Sequence, residues 1–336
     1  VTEPAAAPTR WGILATGKIA RTFARDLALV PDAELVAVGS RRAEAAAAFA
    51  AEHGGRPHGS YEELVADPDV EVVYVASPHA LHLEHARLAF EAGKHVLCEK
   101  PLTLSTADAE EMVRLAGKHD RFLMEAMWTA CHPLVRTVAE QVRAGRYGTP
   151  RHLHAELGFR VDAGPDDRML DPALGASALL DMGIYPLTFA HLVLGEAERL
   201  TGTADLSDRG IDLDVAISGR YPGGALATMT ASITSWSSRA AAIATDLGRI
   251  DVPDFHHPTR ATFTPYDGGD GDAAREPVEI LAEDAVIGRG YGNEIAEVGR
   301  CLRAGLRESP WVPHAQTLTL MRQMDAVRAQ VGVSFG

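Results

Sequence analysis

Trp11-Gly12-Ile13-Leu14-Ala15-Thr16-Gly17-Lys18-Ile19-Ala20 is the stretch on which the fold turns. An apolar run, Trp11 to Ala15, passes through a small-residue turn into Ile19, Phe23 and Leu27, which recur at helical spacing. A strand that feeds straight into a helix leaves the first N–H groups of that helix exposed, and the helix dipole makes them an anion site. A dinucleotide turn needs a tight bend, then bare backbone for the pyrophosphate, then a small residue for helix packing. Ala15, Gly17 and Ala20 fill those places, with Ala15 standing in for the usual first glycine. Gly12, Ala15, Thr16, Gly17, Lys18 and Ile19 are therefore candidate cofactor-binding residues.

Working outward, short apolar runs alternate with helical patterns as far as residue 126, the signature of βαβ units feeding a parallel sheet. Leu35 to Val38 and Val72 to Ala76 read as buried strands, and Ser60 with Glu63 and Ser105 with Asp108 as helix-opening capping boxes. After Trp128 the pattern becomes strict alternation. Ala227, Met229, Ala231 and Ile233 face one way and Thr228, Thr230, Ser232 and Thr234 the other, as in a sheet with one covered face. The expected fold is α/β: an N-terminal Rossmann doubly wound parallel sheet (1–127), then a C-terminal α+β domain (128–336) with a large, mostly antiparallel open sheet. The length of 336 residues suits two such cores. Asp267 to Glu276, rich in Gly and Asp, reads as a surface loop.

The end of the second strand selects the nucleotide. An NAD site usually places an acid there for the ribose 2′-hydroxyl; this chain has Gly39-Ser40-Arg41-Arg42. A hydroxyl and two guanidinium groups suit a 2′-phosphate, so Ser40, Arg41 and Arg42 predict NADP over NAD.

Two further motifs carry chemistry. Val96-Leu97-Cys98-Glu99-Lys100-Pro101 is a strand that must stop at its proline, which presents Lys100 at a carboxyl edge where parallel sheets bind ligands. In the helical run Ala176 to Leu194, Asp181 and Tyr185 lie four residues apart and share a face. Oxidising a secondary alcohol needs a group to take the hydroxyl proton as hydride leaves carbon for the nicotinamide. Either Tyr185, its phenolate stabilised by Lys100, or Lys100 itself could serve; sequence leaves both roles open.

Together these residues resemble the glucose-fructose oxidoreductase and inositol dehydrogenase family, within it the dimeric dihydrodiol dehydrogenase branch. The matching segments are the turn Gly12 to Ala20, Gly39-Ser40-Arg41, Ser60 to Leu64, Ser77-Pro78-His79 with His82, Ala92 to Pro101, Met124 to Trp128, and Asp171 to Gly175 through Asp181 and Tyr185. The resemblance implies that Lys100 and Tyr185 are a catalytic pair with Asp181 as an accessory. It brings Ser77, Pro78, His79, His82, Glu99, Lys100 and Trp128 into the cofactor set, and implies a dimer built on the open sheet and a cis Lys100-Pro101 bond. Trp128, Arg160 and Arg168 join Lys100, Asp181 and Tyr185 as substrate candidates. Ala176 and Ser177 depart from the glycines more usual in such sequences. Tyr185 replaces the histidine of inositol-type members, which disfavours an inositol-like substrate.

A net charge of −14 with no basic stripe argues against nucleic acid. Three scattered cysteines, no signal-like start and no run of eighteen apolar residues lead us to expect a cytoplasmic chain without a membrane span. His79, His82 and His85 are not spaced to share a metal on a helix, so no metal is expected. The expected activity is an NADP-dependent hydride transfer to or from a sugar, sugar derivative or cyclic diol, in a homodimer or higher homo-oligomer. The rivals are an NAD-retaining glycoside hydrolase of the same fold and a nucleotide-sensing regulator without turnover.

Overall fold

The computed structural model describes residues 7–162, 164, 167–266 and 275–333. The Gly- and Asp-rich stretch from Asp267 lies outside them, apart from its last two residues. In chain order the elements are β1 (Thr9–Leu14), α1 (Lys18–Leu27), β2 (Ala33–Gly39), α2 (Ala43–His53), β3 (Arg56–His58), α3 (Tyr61–Ala66), β4 (Val72–Val75), α4 (His82–Glu91), β5 (His95–Glu99), α5 (Thr106–Lys118), β6 (Leu123–Ala126) and α6 (Trp128–Cys131). There follow α7 (Pro133–Arg143), β7 (Pro150–Gly158), α8 (Ile184–Leu194), β8 (Arg199–Leu206), β9 (Asp212–Arg220), β10 (Leu226–Ser232), β11 (Ala241–Thr245), β12 (Gly248–Val252), β13 (Ala261–Pro265), β14 (Val278–Ile280), α9 (Tyr291–Arg303) and α10 (His314–Val331).

Strands β1 to β6 form one parallel sheet in the order β3-β2-β1-β4-β5-β6. That order reverses between β1 and β4, the switch point at whose carboxyl edge open parallel sheets bind their ligands. β4 is fully buried, as its unbroken apolar run requires. Both capping boxes form: Glu63 N–H donates to Ser60 Oγ at 3.1 Å and Asp108 N–H to Ser105 Oγ at 3.2 Å. The second sheet runs β14-β13-β12-β11-β7-β10-β9-β8, antiparallel except where β10 lies parallel to β7. Ala227, Met229, Ala231 and Ile233 are buried, as the alternation requires. The helical stretch Pro172–Leu194 is long and apolar enough to cross a bilayer, and 78% of its apolar window is buried inside the protein, as in a core helix.

Contacts divide the chain into two compact units, Val1–Cys131 with Val286–Leu318, and His132–Ala285 with Thr319–Gly336. This differs from a single boundary after residue 127 in two ways. Trp128 falls in the first unit, and α9 returns to it. Asp26 of α1 accepts the N–H groups of Arg289 and Tyr291 at 2.7 and 3.0 Å and so caps the start of α9. A Cβ on Gly288 would lie 2.3 Å from Asp26 Oδ1, so only glycine fits there. Ile295 and Val298 bury the inner face of α9. Its helical spacing was legible in the sequence, but an anchor to an aspartate more than 260 residues earlier was not.

Candidate functional site

In the first unit the turn after β1 has the geometry an anion needs. Gly17 is the N-cap of α1, exposed, with φ −69° and ψ −176°, and nothing lies within 4 Å of where its Cβ would be. Its glycine is therefore not required by packing; it leaves backbone bare at the helix start, which fits a pyrophosphate. Ala15 takes the left-handed conformation, φ +85°, that the usual first glycine adopts freely. Thr16 and Ile19 are half-buried and Lys18 exposed around this turn. Gly12 has another task. Its Cβ would meet Val70 Cγ1 at 2.9 Å and Leu64 Cδ1 at 3.3 Å, so the packing of β1 requires a glycine here.

At the end of β2, Ser40 is buried while Arg41 and Arg42 are exposed. Arg42 N–H reaches Ser40 Oγ at 3.4 Å. Burial raises the phenol of Tyr61, and the Arg41 guanidinium beside it works in the opposite direction. Tyr61 packs edge-on against His85 at 4.8 Å, and His85 Nδ1 lies 2.8 Å from Ser77 Oγ. Ser77 and Arg41 are thus linked through Tyr61 and His85, neither of which stood among the sequence candidates.

Lys100, half-buried, follows β5 and is joined to Pro101 by a cis peptide, as the resemblance implied. Three buried side chains fix its turn. Glu99 accepts the Lys100 N–H at 3.1 Å and the hydroxyl of Tyr74. Glu125 of β6 accepts the Leu102 N–H at 2.9 Å. His82 Nδ1 lies 3.1 and 3.2 Å from the carbonyl oxygens of Pro101 and Leu102, and Nε2 lies 2.9 Å from that of Ser77. Burial holds the His82 imidazole down to about 4 against those carbonyls. With its ring fully buried, His82 lies between the Lys100 turn and the loop after β4, its nitrogens facing their carbonyls. His79 is buried against His82, ring centroids 5.6 Å apart, after Pro78. Trp128 stacks on Tyr291 of α9 at 4.5 Å and 4°. Fully buried Glu294, also on α9, is pushed far above the carboxylate range by burial and then by Glu99 and Asp26. Among the described residues no three His, Cys, Asp or Glu side chains are grouped to hold a metal ion.

In the second unit the run carrying Asp181 and Tyr185 is not one regular helix. Leu179–Gly183 is a π turn and α8 begins after it. Such turns recur at functional sites, and here Gly183 lets the turn approach β10, its Cβ position 3.4 Å from Ala231 Cβ. Asp212 of β9, buried, holds the entry to this turn by accepting Leu179 N–H at 2.7 Å and the Ser177 hydroxyl at 3.0 Å. That gives Ser177 a structural reason where a glycine could supply no hydroxyl. Asp181 is buried and meets half-exposed Arg168 at 3.7 Å, which brings two candidates together. Tyr185 is 8% exposed, and its ring lies edge-on to His256 at 5.8 Å. His256 in turn touches Phe159 at 5.9 Å. His256 belongs to no sequence motif; its contact with Tyr185 arises from the β12–β13 connection, which no local pattern announces. Arg160 is exposed.

Comparison with known proteins places these observations in one family. Residues 9–127 match the oxidoreductase family with NAD-binding Rossmann fold, GFO/IDH/MocA, and residues 135–251 match the GFO/IDH/MocA C-terminal domain. The chain is 34% identical to trans-1,2-dihydrobenzene-1,2-diol dehydrogenase of Mus musculus, over 97% of this chain and 98% of that one. It is 33% identical to D-xylose 1-dehydrogenase (NADP(+)) of Hypocrea jecorina, over 97% and 93%. Among solved structures, a 3-ketoreductase from Actinomadura kijaniata in complex with NADP and TDP-benzene is 27% identical, with a TM-score of 0.85 over 96% of this chain and 98% of that one. Aldose-aldose oxidoreductase from Caulobacter crescentus, 22% identical, shares the fold with a TM-score of 0.86 over 97% and 98%. The chain belongs to the GFO/IDH/MocA family of oxidoreductases, in its dihydrodiol dehydrogenase-like branch.

Proposed function

We propose that this chain is an NADP-dependent dehydrogenase or reductase that interconverts a secondary alcohol and a ketone on a sugar, a sugar derivative or a cyclic trans-diol. The observation that carries the reading is Lys100, held by Glu99, Glu125 and His82 on the sheet edge that also bears the bare Gly17 turn. The relatives that use diols, xylose and NADP support it. Gly17 and the first turn of α1 would hold the pyrophosphate, and Ser40, Arg41 and Arg42 the 2′-phosphate. The nicotinamide supplies the hydride acceptor or donor. Lys100 and Tyr185 handle the proton at the substrate oxygen, Asp181 holds Arg168 near the substrate, and Trp128 presents an aromatic wall. We place the protein in the cytoplasm as a homo-oligomer, consistent with an open sheet whose outer face is rich in hydroxyls.

The test follows absorbance of reduced NADP with a panel of aldoses, osones and cyclic diols, in wild type, Lys100→Met and Tyr185→Phe. Turnover lost by at least about a hundredfold in both variants is expected for groups that act at the reacting proton. Unchanged turnover in both refutes the assignment. Arg41→Ala should weaken NADP more than NAD by about tenfold or more, the worth of one charge-assisted contact; equal losses would show that Arg41 does not read the phosphate.

A further inference from the structure

We propose that Glu125 is a positioning residue for Lys100: it fixes the backbone of the lysine turn, and its gain or loss of a proton sets the charge that Lys100 experiences. The two functions follow from one location. In the sheet register Glu125 is paired with Cys98, two residues before Lys100. The carboxyl is 3% exposed and both its oxygens are used. Oε1 accepts the Leu102 N–H at 2.9 Å and Oε2 accepts the Thr317 hydroxyl of α10 at 2.9 Å. The Leu102 contact grips the turn just beyond the Lys100-Pro101 bond, while His82 grips the carbonyls of Pro101 and Leu102. The turn thus cannot shift without breaking a buried bond at Glu125 or at His82.

The groups that act on Glu125 are few. From the end of β5 come Lys100, which favours the carboxylate, and Glu99, which opposes it; from α10 comes the Thr317 hydroxyl, which favours it. The thiol of Cys98 is driven well above its ordinary value by burial and then by the charges of Glu99 and Glu125, and stays neutral. His314 is engaged with the Leu123 carbonyl at 2.9 Å, and His82 with the turn. Burial outweighs the favourable contacts and lifts Glu125 to about 7, where ordinary assay conditions change its charge. Coulomb coupling is reciprocal: if Lys100 favours the Glu125 carboxylate, that carboxylate favours the Lys100 ammonium. Below about pH 7 the lysine loses this counter-charge, and above it regains it.

The kinetic arm of the test rests on the dehydrogenase reading; the spectroscopic arm does not. In cofactor-free protein, infrared or carbon-13 spectra of labelled glutamate should show a carboxyl titrating near pH 7. That signal should be absent in Glu125→Gln and moved to higher pH in Lys100→Met and in Thr317→Val, each of which removes a group that stabilises the carboxylate. In turnover, the ratio of wild-type to Glu125→Gln kcat/KM should change by about tenfold between about pH 6 and pH 8, while thermal melts confirm that the variants are folded. A signal unmoved by Lys100→Met, or a ratio flat with pH, overturns the proposal. If the wild type turns over nothing in the panel, the dehydrogenase reading fails, and the titration in Lys100→Met still decides the coupling.

Discussion

Gly17→Ala separates folding from cofactor binding because nothing in the structure packs against the place where its side chain would be. An added Cβ would have nothing within 4 Å, and φ −69° with ψ −176° is open to any L residue. Two small terms act on stability. Alanine is a poorer N-cap than glycine by about 0.5–1 kcal/mol, and replacing glycine reduces the entropy of the unfolded chain by about 0.4–1 kcal/mol in the opposite sense. They cancel to within about 0.5 kcal/mol, so the melting temperature without cofactor should barely move. Binding is different, because the methyl occupies the approach of the pyrophosphate to the N–H groups of α1. Losing one charge-assisted hydrogen bond costs about 1.5–3 kcal/mol, or roughly 10- to 100-fold in Kd. Titration of tryptophan fluorescence with NADP, beside a thermal melt of the free protein, measures both quantities. A Kd within about twofold of wild type would refute the placement of phosphate at this turn, since no compensating contact is available to the methyl group.

The neighbouring glycine should behave in the opposite way. Gly12→Ala puts a Cβ 2.9 and 3.1 Å from the two Val70 methyl carbons, so overpacking should destabilise the protein by about 1–3 kcal/mol in urea, and NADP affinity per folded molecule should hold. Acid should also destabilise the protein through buried histidines. His82 is depressed by burial from 6.5 to about 4, so the unfolded chain takes up its proton first; stability is full above pH 6.5 and falls as pH drops toward 4. At about 1.4 kcal/mol per pH unit, His82 accounts for about 3 kcal/mol of that loss. His95 and His132, also lowered to about 4 chiefly by burial, act in the same window. Urea unfolding at several pH values should therefore show a shallower slope between pH 6 and 4.5 in His82→Gln; an unchanged slope would mean that His82 is charged in the folded protein.

What sequence reading recovered and what it missed divide along a physical line. Strands β1, β2, β4 and β5 and both capping boxes were legible because their signals are local: a buried apolar run, a Ser three residues before an acid, a proline that ends a strand. Ala15, Gly17 and Ala20 were legible for the same reason, since turn and helix start lie within ten residues. Glu125, His256, Asp212 and α9's place in the first unit were not, because each depends on a contact across the fold: Glu125 with Thr317, His256 with Tyr185, Asp212 with Ser177, Asp26 with Tyr291. His82 is the instructive intermediate case. The family resemblance drew it into the cofactor set, and the structure shows what sequence could not, that its ring nitrogens face three backbone carbonyls. A buried neutral imidazole donates from one nitrogen only, and a backbone carbonyl of the neighbouring turns can take that proton in place of a ligand. The same reasoning separates Gly12 from Gly17. Both are glycines of one strand-turn-helix stretch, but Gly12 in β1 is demanded by Val70, whereas packing inside the protein does not demand Gly17 in the turn.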